Sequence, residues 1–390
     1  MQPKTDVKFD QATFNRLKRT IRNMSLGKKT TLINPSFATV IPDEVGLQIT
    51  NKCNLRCKHC FQWNDQGFHN ALDKAVQKEE LKFETLSKIL QETSAVKSNL
   101  YLWGGEPLCY SEWNRLSDAL EKDPRWTVLC TNGIDVEKKL DSILKISENL
   151  ALLTSVEGFE AENDYVRGIG TYQKVIKNIE LLLDLKRKNV FKGEVSVNCV
   201  ISESMIGKMY EFAEMFEEIG INTLYFCFPW YISETVAKDM DCYFKKHFAW
   251  LRVLDEGHIP SWHSYQYHLQ IDTINALIDD LVRISNRKWK IRMRFQPALE
   301  LEEVKGFILG EERAVQNKSR CIGIVNRMNV LPNGKVTVCK LFPEFEIGDL
   351  NENSVSQVWH NQKFQEARRI LSNGLMPVCS KCVLLYLHGV

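Results

Sequence analysis

Short apolar runs alternate with stretches of helical periodicity through the middle of this chain. Residues 44–50 read as a strand around Val45-Gly-Leu-Gln-Ile49, and the segment from Glu80 to Leu90 as an amphipathic helix. Asn99-Leu-Tyr-Leu-Trp103 is a second strand, ending at a glycine pair. Trp126–Cys130 is a third, ending at Thr131-Asn132-Gly133, with a polar helix expected near 135–147. Leu150–Ser155 precedes a helix at about 171–187, and Val195–Ile201 precedes one at about 206–218. Thr223–Phe228 is the sixth strand. Six strands alternating with helices argue for a parallel β/α architecture, which gathers ligands at the carboxyl ends of its strands.

The flanks follow other patterns. In residues 1–43, Phe14–Ile21 predicts a short basic amphipathic helix, either a solvated cap packed on the barrel or a grip for substrate. Residues 231–319 carry many aromatic and charged side chains without a clear strand pattern, and read as a helical linker or insertion. From residue 320 onward, Val330–Val338 predicts a hairpin turning at Asn333-Gly334, with valines alternating on the return strand.

The chain has 390 residues, enough for one large domain or two to three smaller ones. A net charge of +2 gives no argument for a nucleic-acid or anionic-membrane partner. There is no apolar run of membrane-spanning length, and Met-Gln-Pro-Lys-Thr-Asp-Val-Lys lacks the apolar core of a signal peptide, so a cytoplasmic protein is expected. Seven of the twelve cysteines form two clusters along the sequence. The other five (Cys109, Cys130, Cys199, Cys227 and Cys242) read as small buried hydrophobes.

The first cluster is Cys53-Asn-Leu-Arg-Cys57-Lys-His-Cys60, leaving the first strand. Clustered thiolates select iron–sulfur or zinc chemistry. Three of them leave one metal position open, where chemistry can occur. A zinc knuckle would need a fourth donor, and His59, set between two cysteines, can hardly reach the same metal; zinc sites also favour two separated pairs. At the end of the second strand stands Trp103-Gly104-Gly105-Glu106-Pro107, where glycines allow close approach and a carboxylate suits an ammonium group.

Cys53, Cys57 and Cys60, with His59 before the last cysteine, resemble the radical S-adenosylmethionine (SAM) enzymes. The resemblance implies a partial (β/α)6 barrel at residues 44–230. It also implies a [4Fe–4S] cluster on the three cysteines, whose fourth iron is chelated by the amino and carboxylate groups of SAM. Gly104, Gly105, Glu106 and Pro107 match the family's glycine-rich motif for the amino end of SAM. Ser155, Arg167 and Asn198 are then candidates to line the SAM site, Arg167 by offering a fork to the methionine carboxylate. Glu157 stands where relatives often carry aspartate.

The second cluster is Cys321, Cys339 and Cys379-Ser-Lys-Cys382. The hairpin brings Cys339 back beside Cys321 and the final pair can close the set, for zinc or for a cubane. Cys321, Gly334, Cys339, Ile347-Gly-Asp-Leu350, Val358-Trp359, Phe364 and Arg368 resemble the auxiliary-cluster extension called SPASM, or its shorter form, twitch. With no cysteine after Cys382, the resemblance implies one auxiliary [4Fe–4S] cluster in residues 320–390. His388, standing where a further cysteine would be expected, is an additional candidate ligand.

Together these readings predict reductive cleavage of SAM to a 5′-deoxyadenosyl radical and hydrogen abstraction from a substrate C–H bond. A flavodoxin- or ferredoxin-like electron donor is implied. The commonest use of such an extension is modification of a ribosomal peptide or protein by crosslinking, epimerisation or oxidation. The leader-binding module of many such relatives does not fit within residues 1–43. Oxidation or epimerisation of a sugar, aminocyclitol or other small metabolite is the alternative, and a non-catalytic iron–sulfur electron carrier a more distant one. Phe228, Trp230 and Tyr231 are candidate pocket walls, and Cys109 and Cys227 candidate hydrogen donors to a substrate radical.

Overall fold

The period of two is realised in a computed structural model, which describes residues 1–8, 11–70, 72–252, 257, 259–311 and 318–390, with the backbone alone at residue 12. The six expected strands are β1 (Glu44–Thr50), β2 (Asn99–Gly104), β3 (Thr127–Thr131), β4 (Leu150–Ser155), β5 (Glu194–Val200) and β6 (Thr223–Cys227). They lie side by side in this order, all parallel. Leu100, Leu102, Leu152 and Val197 are buried in the apolar core, while Tyr101, Trp103, Leu153, Ser155 and Asn198 between them line an inner cavity. Alternation along each strand therefore separates the packed layer from the binding side.

Sequence and structure differ at both edges of the sheet. Arg292–Gln296, within the expected helical linker, forms β7 and pairs in parallel with β6. Met293 and Phe295 are buried. Arg292 instead forms an ion pair with Glu194 of β5, so the charged half of the pattern conceals a strand. At the opposite edge, β8 (Arg327–Val330) pairs in parallel with β1, and β9 (Lys335–Thr337) and β10 (Glu346–Asp349) follow antiparallel. The expected hairpin thus extends the barrel sheet, which reaches ten strands among the described residues.

The helices α1 (Gln11–Ile33), α2 (Phe83–Glu92), α3 (Trp113–Lys122), α4 (Leu140–Lys145), α5 (Glu160–Arg167), α6 (Thr171–Arg187) and α7 (Met209–Ile219) surround the barrel. Helices α2, α6 and α7 fall where periodicity predicts them. The helix expected at 135–147 is reduced to α4 between two tight turns; α3 buries Trp113, Leu116 and Leu120 at helical spacing in a segment the sequence reading did not assign, and α5 carries its apolar positions too sparsely to stand out. Helix α1 is longer than its apolar stripe suggests. Arg16 stacks on Trp126 at 3.8 Å and Arg19 donates to the Val96 carbonyl at 2.8 Å, which sets α1 across the amino ends of the strands, opposite the cysteine loop.

Beyond β6, α8 (Glu234–His247), α9 (Ile274–Asn286) and α10 (Leu301–Ile308) lead to the C-terminal extension, which closes with α11 (Val355–Trp359) and α12 (Gln362–Ser372). The residues that carry the SPASM resemblance form the extension's core. Trp359 meets Phe364 edge to face at 4.8 Å, and buried Arg368 lies 3.8 Å from the Phe364 ring centre while donating to the carbonyls of Ile324 and Trp359.

Candidate active site

The carboxyl end of the barrel encloses a cavity of about 280 Å³, lined by Cys53, Cys57, Cys60, Gly104, Gly105, Glu106, Ser155, Arg167, Asn198 and Cys227. Parallel strands place these residues together because every loop after a strand opens at the same end. The Leu55 amide donates to Cys53 Sγ at 3.5 Å and the Trp63 amide to Cys60 Sγ at 3.4 Å. Burial pushes Cys53 up to about 12 and Cys57 to about 11, and raises Cys60 as well. Such thiols give up their protons against a bound cation, a role iron would fill. Among the described residues no three Cys, His, Asp or Glu side chains are grouped tightly enough for a single metal ion.

The glycine pair acts chiefly on the chain itself. A Cβ at Gly104 would stand 2.3 Å from the Thr50 carbonyl oxygen, and one at Gly105 2.3 Å from that of Lys52. Their bareness seats the end of β2 against the root of the cysteine loop, where the amides of Gly105 and Glu106 donate to the carbonyls of Thr50 and Lys52. The Glu106 carboxylate accepts from Thr131 Oγ1 at 2.7 Å, the Asn132 amide at 2.7 Å and the Leu108 amide at 3.0 Å. It ties the glycine turn to the Thr131-Asn132-Gly133 turn. Burial raises its pKa despite these donors. Pro107 opens the following turn and does not line the cavity.

Arg167 differs from expectation. Its Nε and Nη2 both donate to Glu157 Oε1, at 3.1 and 2.5 Å, so the fork is engaged by the protein. His59 Nε2 lies 3.1 Å from the same oxygen, at ion-pair distance but off the hydrogen-bond line, and the Val200 amide donates to Oε2 at 2.6 Å. Burial alone would raise the pKa of Glu157; Arg167 and His59 outweigh it and hold it down to about 2. Glu157 therefore joins the cysteine loop, α5 and the end of β5. The acidic residue after a strand end was the available sequence signal for it.

Ser155 and Asn198 are paired in register on β4 and β5. Asn198 Oδ1 accepts from Cys227 Sγ at 2.8 Å, and Gln296 of β7 also accepts from Cys227 at 3.0 Å. Phe228 and Trp230 line the cavity, and Phe61 stacks on Trp230 at 5.5 Å and on Tyr265 at 4.5 Å. Tyr231 packs instead on His268. Cys109 lies in the tight turn after Glu106 and is not among the cavity's walls, so the structure separates it from Cys227. Sequence reasoning missed Tyr265, Tyr267 and Gln296, which lie in the supposed linker, and Lys340.

Cys321, Cys339, Cys379 and Cys382 line a second cavity of about 90 Å³ with Arg327, Lys340 and His388. Burial pushes Cys339 up to about 12 and raises the other three thiols. The donor set fits a fully ligated iron–sulfur cluster. His388 Nε2 is buried there with no hydrogen-bond partner among the described residues.

A partial parallel barrel with an open-sided thiol triplet and a four-thiol extension defines a class of iron–sulfur enzymes. Family models agree: that of the radical SAM superfamily matches residues 47–213, and that of the SPASM iron–sulfur cluster-binding domain residues 321–383. Pre-heme d1 synthase of Dinoroseobacter shibae is 28% identical over 49% of this chain, which spans about half (45%) of that relative's length. PqqA peptide cyclase of Methylorubrum extorquens is 22% identical over 83% of the chain and 74% of its own length. Streptococcus suis SuiB, solved with its precursor peptide SuiA, shares the fold with a TM-score of 0.55 at 13% identity, over 92% of this chain and 72% of its own. The chain belongs to the radical SAM superfamily and carries a C-terminal SPASM domain. It is an enzyme whose cofactors are a SAM-binding [4Fe–4S] cluster, SAM and auxiliary iron–sulfur. Among the described residues no helix is long and apolar enough to cross a membrane.

Proposed function

We propose that this enzyme modifies a ribosomally made peptide or protein, with residues 44–230 as the radical-generating core and 320–390 as the auxiliary-cluster domain. Cys53, Cys57 and Cys60 would hold the SAM-binding cluster, and Cys321, Cys339, Cys379 and Cys382 the auxiliary one. When bound, cluster and SAM supply the 5′-deoxyadenosyl radical that takes a hydrogen atom from substrate. The protein's share is placement. The Glu106 anchor fixes the glycine turn beneath the SAM site, with Ser155 and Asn198 beside it. Glu157 holds Arg167 and the cysteine loop in one orientation. The wall of Phe61, Trp230 and Tyr265 excludes water from the reacting carbon.

The observation that carries the peptide reading is an outer groove of about 490 Å³ which meets the inner cavity at Gln62, Trp103, Ser264, Lys340 and Leu341. A second space of that size sharing walls with the inner cavity suits an extended chain better than a small metabolite. The likeness to a peptide cyclase over most of the chain supports the same choice.

The test begins with anaerobic reconstitution, which should give about eight irons per chain and reductant-dependent release of 5′-deoxyadenosine. Peptides translated from short reading frames beside the gene are then supplied and analysed by mass spectrometry. A peptide changed only in the presence of SAM and reductant supports the proposal. Turnover of a sugar or aminocyclitol, with every such peptide left intact, would transfer the site to small metabolites.

A further inference from the structure

Where the inner cavity meets the outer groove, three hydrogen-bond donors have no acceptor among the described residues. Lys340 lines the inner cavity, the auxiliary cavity and the groove. Its Nζ lies 3.9 Å from the Tyr101 ring centre and 4.6 Å from that of Trp103, on the barrel side of the junction. Among the described residues it makes no ion pair or hydrogen bond. Trp103 Nε1 and Gln62 Nε2 are buried without partners among the described residues, on residues 9% and 3% exposed, and both residues line the same two spaces.

Among the described residues, Glu79 of the groove faces Lys335 and Glu346 rather than Lys340, and the other nearby carboxylates are occupied. Glu44 pairs with Arg327 at 3.1 Å, Glu346 with Lys335 at 2.9 Å, and Glu344 accepts from the Ser261 amide and hydroxyl at 2.5 and 2.7 Å. Glu106 and Glu157 are held by the donors described above. A lysine amine on two aromatic faces, pushed down to about 7 by burial and lacking the acceptor that would hold it charged, forms with an indole N–H and an amide NH2 an incomplete anion site. Buried donors are ordinarily satisfied, so the missing acceptor is expected from a ligand.

We infer that Lys340, Trp103 and Gln62 form a carboxylate-binding site that anchors the substrate by an acidic group next to the carbon it presents to the inner cavity. This deepens the peptide reading and rests on it: the carboxylate would be an acidic side chain or the C-terminus of the peptide. Lys340 here is a specificity residue, and its position one residue after Cys339 couples the anchor to the auxiliary domain. The rival role for the same cation is counter-charge to the auxiliary cluster.

The experiment uses reconstituted holoenzyme saturated with SAM and calorimetric titration at fixed ionic strength. The probes are N-acetyl-L-glutamate α-amide, N-acetyl-L-glutamine amide, N-acetyl-L-alaninate and N-acetyl-L-alanine amide. The wild type should bind the glutamate probe about tenfold more tightly than its neutral isostere, the factor expected for one charge-assisted contact. N-acetyl-L-alaninate, compared with its amide, tells whether a terminal carboxylate is taken as well as a side chain. K340Q should abolish the preference, K340R should keep it, and W103F, which removes only the indole N–H, should weaken it. Equal affinity for acid and amide in the wild type, or a preference that survives K340Q, overturns the inference. A shifted auxiliary-cluster potential in K340Q with the preference intact assigns Lys340 to the rival role. If K340Q does not take up iron, K340R and W103F carry the comparison. Release of 5′-deoxyadenosine by the wild type reports separately on the radical reading, so the two can fail independently.

Discussion

Replacing Glu157 by Gln removes the anion on which His59, Arg167 and the Val200 amide converge. The carboxylate is fully buried, and its pKa falls from 4.5 to about 2 because Arg167 and His59 outweigh the burial. At ~1.4 kcal/mol per pH unit, that corresponds to about 3 kcal/mol of stability. A second route agrees: stranding one partner of a buried ion pair costs roughly 3–5 kcal/mol, and Arg167 is only 9% exposed. E157Q should therefore lower the urea midpoint of the apo chain by about 1 M, for a slope of about 3 kcal/mol/M. The double variant E157Q/R167M should recover much of the loss, since neither charge is then left unpaired. The pH dependence has a definite sign. A depressed carboxylate stabilises the fold above its unfolded pKa and ceases to do so as the pH falls through its folded one. Wild type should lose about 3 kcal/mol between pH 4.5 and 2 that E157Q lacks. An E157Q midpoint equal to that of wild type, or acid-unfolding curves that run parallel, would refute the network's role.

G105A should separate the glycine turn from the cysteine loop, because its Cβ would stand 2.3 Å from the Lys52 carbonyl oxygen; iron analysis should fall from about eight towards about four per chain. C53A/C57A/C60A should leave about four irons and no SAM cleavage, whereas C379A/C382A should lose the auxiliary cluster's iron and keep the SAM-cluster signal in electron paramagnetic resonance. C109A should leave product and stereochemistry unchanged, since Cys109 does not line the cavity. C227A tests the remaining candidate donor, and an unchanged epimer from it would remove Cys227 from hydrogen return, leaving Cys130 on the same cavity wall to be tested.

The local patterns of the sequence determined the six central strands, the helices at 171–187 and near 83–92, and both sets of cysteines. Each depends on residues close in sequence: a period of two, a period of 3.6, or thiols on one loop. What lay beyond reach was pairing between distant segments. Strand β7 is half charged because Arg292 meets Glu194 across the sheet, and β8 joins β1 although almost three hundred residues separate them. The direction of side chains was equally out of reach. Arg167 reads as an open fork until Glu157 is seen beside it, and Lys340 as an ordinary lysine until three spaces meet around it. Sequence by itself pointed to the cofactors of this protein, because the candidate ligands lie on short loops. Tertiary structure alone decided how those loops are held and where a substrate can enter, because burial and charge pairing arise only when distant strands pack together.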